Sequence, residues 1–215
     1  MKKLLVSLIF CLLPVNLSAL QVINGGSLSI DVECRPAKEK HIVSAKQDIN
    51  LFVNSYRKKT IKNYLHQIRM CKNIKLRDMS WPSGTYDRSK KIIYLKVAGR
   101  TDTEYLLHHE FSSLLLKSFI NSAKSAQIEN KFLKINKNCY VGVSRSHQSN
   151  WMREYPPNMR AGFIVPYAQT NFENDFNMIA SFLKTSYLKN RVERAKKFKL
   201  LNKKITIVEK FYKNL

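Results

Sequence analysis

The chain has 215 residues, 44% of them hydrophobic, and carries 38 lysines and arginines against 15 aspartates and glutamates, a formal net charge of +23. That apolar content over that length excludes a disordered chain and supports one domain with its own core. The charge reads either as attraction to a polyanion, such as lipid headgroups, a cell-wall polymer or an acidic protein, or as a solvated lysine-rich surface. Nucleic acid is the weaker candidate, because no recognisable binding module is present.

The first residues read as a leader. Lys2 and Lys3 form a positive start, Leu4 to Val15 is apolar apart from Ser7 and Pro14, and Ser18-Ala19 offers small residues for cleavage. This pattern predicts a signal peptide over 1–19, a single domain over 20–215, and a periplasmic or secreted location. Phe10 before Cys11 argues against lipid attachment. No later segment reaches membrane-spanning length. Of Cys34, Cys71 and Cys139, two can pair in an oxidising compartment, and spacing leaves the pair open.

Residues 21–43 read as irregular, with a turn at Gly25-Gly26 and a short strand over 28–32. Ser44-Ala45-Lys46-Gln47 has the form of a capping box, so a helix carrying Ile49, Phe52, Val53 and Tyr56 is expected after it. A second helical run takes Ile61, Tyr64, Leu65 and Ile68. Ile74 and Leu76, then Ile93, Leu95 and Val97, alternate with polar residues and predict two strands around a turn at Trp81-Pro82-Ser83-Gly84. Thr101-Asp102-Thr103-Glu104 predicts a helix from near 102 to about 119. A strand is expected within 132–143, an exposed loop over 144–158 and a helix over 173–187. One basic amphipathic helix is expected over 192–212.

The helix near 102–119 holds His108-His109-Glu110-Phe111-Ser112-Ser113. A zinc hydrolase built on His-Glu-x-x-His places two imidazoles one helical turn apart on the metal and uses the glutamate as general base. His109 and Glu110 fit that pattern. Ser113 stands where the second histidine belongs, and a neutral hydroxyl is not a usual zinc ligand. His108 lies roughly 100° around the helix from His109, so the two cannot share an ion unless the helix distorts.

Downstream, Tyr167-Ala168 precedes Asn171-Phe172-Glu173-Asn174-Asp175-Phe176. With the histidine motif and the closing Lys203 to Tyr212 segment, this order resembles bacterial zinc metallopeptidases of the gluzincin group, over about residues 45–215. The resemblance implies an α+β fold, a mostly helical metallopeptidase-like domain with a small sheet before the motif helix. It also implies zinc as cofactor and a peptide or protein substrate. It makes His109 the first metal ligand, Glu110 the base that activates a metal-bound water, and Tyr167 the group that steadies the oxyanion. The third ligand is Glu173 or Asp175; aligning the family's Asp-Phe pair on Asp175-Phe176 instead puts Asn174 there. His108 or His147 would have to replace the missing second histidine. The substitution leaves two readings: an exported peptide hydrolase, intact or degenerate, and a non-catalytic basic envelope protein that uses the scaffold to bind an anionic component.

Overall fold

The structure, a computed structural model, describes residues 20–26, 31–99, 102–118, 122–137, 140–142 and 156–215. The predicted signal peptide, Cys139, His147, Trp151 and most of the expected 144–158 loop lie outside the described residues.

A small sheet precedes the motif helix, as the α+β expectation requires. Its strands are β1 (Gln21–Asn24), β2 (Val32–Pro36), β3 (Gln67–Leu76), β4 (Gly84–Asp87) and β5 (Ile92–Lys96). β3 is the spine. It pairs in parallel with β1 through Gln67–Met70, antiparallel with β2 farther along, and in parallel with β5 on its other side. β4 pairs antiparallel with β5 and forms the edge. Alternation sorts the two faces. Ile68, Met70, Ile93 and Leu95 enter the main core, while Cys34, Cys71, Ile74, Ile92 and Tyr94 make a second cluster. A Cys34–Cys71 disulfide joins β2 to β3 within that second cluster, which settles the pairing that spacing left open.

The helices are α1 (Glu39–Asn54), α2 (Lys58–Tyr64), α3 (Thr103–Ser118), α4 (Ser122–Asn136), α5 (Pro156–Arg160), α6 (Phe172–Lys184), α7 (Lys189–Lys196) and α8 (Lys199–Lys213). α3 carries the motif and is buried nearly all round, with little apolar asymmetry. It packs against α1 and α6 and beneath β4 and β5.

Several elements differ from the sequence expectations. α1 begins at Glu39 instead of after Ser44, because Ile42 and Ala45 extend its buried stripe upstream and Ser44 lies exposed within it. Ile68 belongs to β3, since the backbone turns extended at Leu65. The strand expected within 132–143 is the end of α4: Ile128, Phe132 and Ile135 keep a helical period, with Phe132 fully buried. The single C-terminal helix is two, broken where Phe198 goes extended (φ −95°, ψ 114°). β4 was not foreseen as a strand.

Opening the Cys34–Cys71 bridge, which spans 37 residues, is expected to lower the unfolding free energy by about 3–4 kcal/mol. Urea denaturation of the protein with and without reductant, against Cys34→Ser/Cys71→Ser, checks this. An unchanged midpoint would contradict the bridge.

Candidate functional site

Position on α3 decides what each motif residue meets. His109 and Glu110 turn toward β4 and α6, while His108 turns the other way. The His108 ring is fully buried beside Phe52 and Tyr56, with Nδ1 3.0 Å from the Tyr56 hydroxyl and Nε2 3.8 Å from the Glu104 carboxylate. It therefore belongs to the core behind the helix. Asp175 is likewise placed apart from His109. It is completely buried, 2.5 Å from Lys204 Nζ, and accepts hydrogen bonds from Asn136 (3.2 Å) and Tyr140 (2.9 Å). Lys204 also donates to the Gly162 carbonyl at 2.6 Å. That pair ties α6 to α8 and α4, and removing one member would strand the other's charge in the core.

The structure brings together His109, Glu110, Tyr167 and Glu173. The Tyr167 ring, in a 3-10 turn over Pro166–Gln169, lies 6.0 Å from the His109 ring, centre to centre. Glu173 sits in the first turn of α6, whose N-cap Asn171 accepts from the Asn174 N–H at 2.8 Å. Its charge acts on His109, Glu110 and Tyr167. Gly84 of β4 presses on Glu110, so closely that a Cβ there would stand 2.7 Å from Glu110 Oε1. That approach explains why the edge strand begins with glycine.

Glu173 is heavily engaged. Its Oε1 accepts from the Tyr86 hydroxyl at 2.9 Å, and its Oε2 lies 2.9 Å from Lys117 Nζ. Ser113 also favours its charged form. Ser113 in turn accepts from Asn177 Nδ2 at 2.6 Å. Burial works against the Glu173 charge, but Lys117, Ser113 and Tyr86 win and hold its carboxyl below the usual range. Burial takes His109 down to about 4, with Glu173 opposing, and takes Glu110 up to about 8, with Glu173 adding to the rise. Burial also raises Tyr167, to about 12, and the Glu110 charge adds to it.

Sequence reasoning missed Gly84, Tyr86, Lys117 and Asn177. Tyr86 lies in the strand that was not foreseen, and Gly84 was read only as turn chemistry. The other two were open to the period that found the motif: His109, Ser113 and Lys117 follow at four-residue steps on α3, as do Glu173 and Asn177 on α6.

Among the described residues the donor set does not make up a catalytic zinc site. Such a site needs three protein ligands. His109 and Glu173 are the two suitable donors among the described residues, and Ser113 fills the second ligand's position with a hydroxyl that accepts from Asn177. Among the described residues no group of three His, Cys, Asp or Glu side chains is placed to hold a metal.

Residues 84–215 match the family model described as "Putative zinc-binding metallo-peptidase". The chain belongs to this family. The matched span begins at the β4 glycine and includes the motif helix, the Tyr167 turn and α6. The fold is similar to that in the crystal structure of a "putative zinc-binding metallo-peptidase" from Bacteroides caccae ATCC 43185. The two are 14% identical with a TM-score of 0.50, over 94% of this chain and 81% of that one. No curated protein matches the chain.

The buried pair His109 and Glu110 gives the metal-free protein a distinctive pH response. Between pH 4.5 and 6.5 the folded chain lacks the His109 proton that the unfolded chain carries and holds a Glu110 proton that the unfolded chain has lost, so the two effects offset. From 6.5 to about 8 only the extra Glu110 proton remains, and its contribution falls as pH rises. Relative to Glu110→Gln, wild-type stability is therefore expected to decline across pH 6.5–8 in urea titrations. A constant difference across that window would contradict the burial of Glu110.

Proposed function

We propose that this protein is an exported, non-hydrolytic member of its metallopeptidase family that holds extended peptide along the sheet-edge strand β4. The observation that carries this reading is the occupant of position 113. Ser113 supplies no usual metal ligand, and its hydroxyl accepts from Asn177 at 2.6 Å. Glu110, which the motif casts as a base, is raised to about 8 by burial in the metal-free site. Among the described residues, hydrolysis through a zinc-bound water therefore lacks its full ligand set. The peptide-binding half of the proposal rests on β4. It is the edge of the sheet, and an edge strand offers an unpaired row of backbone donors and acceptors to an extended chain. Export is supported by the leader pattern and by the Cys34–Cys71 disulfide, which suits an oxidising compartment. No described helix is long and apolar enough to cross a membrane.

A second reading, an anionic envelope partner, is favoured by a hollow between α4 and α8. Two adjoining spaces of about 460 and 410 Å³ are lined by Lys124, Lys131, Lys134, Lys203 and Lys210 around Ile207. Lysine stems can cover such an apolar floor while their ammonium groups meet an anion.

One preparation, produced with zinc in the medium, separates these readings. Zinc well below one per chain, background hydrolysis of a mixed peptide library unchanged by Glu110→Gln, and retention of library peptides are expected. One zinc per chain with hydrolysis lost in Glu110→Gln would restore the hydrolase reading. If the anionic partner is the main one, retention on an acidic polymer should weaken with salt and drop in Lys131→Glu/Lys203→Glu, with no library peptide held.

A further inference from the structure

The residues that fill the family's metal position form a closed arrangement with its own cation. His109, Ser113 and Lys117 succeed one another along one face of α3, and Lys117 Nζ reaches Glu173 Oε2 at 2.9 Å. Tyr86 holds the other oxygen of the same carboxylate. Glu173, the residue that would ligate a metal, thus spends both oxygens on groups of this chain. Across from it, Asn177 fixes the Ser113 hydroxyl. Lys117 is not deeply sealed in: its side chain is 45% exposed, against 28% for Glu173. The ammonium therefore enters from the rim and caps a carboxylate that lies farther inside.

We propose that Lys117 stands in for the metal cation, its ammonium neutralising Glu173 and thereby excluding zinc from the site independently of the missing histidine. The loss of the metal then has two separable parts, a ligand removed at 113 and a competing cation supplied at 117. An ammonium bonded to the third ligand must be displaced before that oxygen can bind a metal, so restoring the histidine alone restores only part of the affinity. This inference rests on the non-hydrolytic reading above and says what holds the site together in its place.

The test uses the full chain in three forms: wild type, Ser113→His, and Ser113→His/Lys117→Met. Zinc binding is measured by titration against a chromophoric chelator, with bound metal counted after dialysis. The double variant is expected to hold one zinc per chain, and Ser113→His alone to bind at least about tenfold more weakly, a difference of 1.4 kcal/mol or more. Equal zinc affinity in the two histidine variants would overturn the proposal while leaving the non-hydrolytic reading intact. One zinc per wild-type chain would instead overturn that reading. Should the histidine variants fail to fold, Lys117→Met and Lys117→Arg with Ser113 retained decide the matter. The proposal expects a lower melting temperature for Lys117→Met, with substantial recovery in Lys117→Arg. A Lys117→Met protein as stable as wild type would refute it.

Discussion

A helix buried on every side cannot leave polar side chains unsatisfied without a cost of order 1–3 kcal/mol for each, and α3 is such a helix. It carries His108, His109, Glu110, Ser112 and Ser113 in succession into the interior. The surrounding elements can be understood as answers to that sequence. Tyr56 meets His108, Tyr212 meets Ser112 at 2.6 Å, Asn177 meets Ser113, and β4 closes over Glu110 at a glycine. Each partner comes from a different part of the chain, so this one polar helix draws the α1–α2 connection, α6, α8 and the sheet edge together.

The same constraint decides what position 113 becomes once it is not histidine. A buried hydroxyl must bond, and the amide of Asn177 meets it at 2.6 Å. Glu173 in turn is met by a positive charge, which Lys117 brings from the rim. One substitution at 113 is thus compatible with a site that satisfies itself by hydrogen bonds and a single ion pair. The family's scaffold persists because its core does not depend on the metal: Phe111, Leu114 and Leu115 on α3 and Phe176, Ile179 and Ala180 on α6 are buried whatever fills the site.

Much of this was legible in the residues. The motif helix declared itself by its capping residues and its histidines, and α6 by its amphipathic period; the Asn171 cap emerged only in the structure. Local rules failed where tertiary packing overrode them. A capping-box pattern at Ser44 lost to a buried stripe that begins at Ile42. Apolar residues in 132–143 suggested a strand, yet Phe132 is the innermost residue of a helix. Within the site, His109, Glu110, Tyr167 and Glu173 could be named from their order along the chain. Asp175 could not be told from Glu173 by order, because what separates them is Lys204, a charged residue with no sequence signal that it would be fully buried. Lys117 was hidden among many lysines, and only its partner distinguishes it.

The central claim is that the space between His109 and Glu173 is closed by the chain's own groups and carries no metal. The most direct measurement is anomalous diffraction, above and below the zinc absorption edge, from crystals grown with zinc present. The account predicts no anomalous peak within about 2.2 Å of a His109 nitrogen, with Lys117 and Tyr86 still on Glu173. A peak bonded to both His109 and Glu173, completed by a third protein ligand, would contradict it.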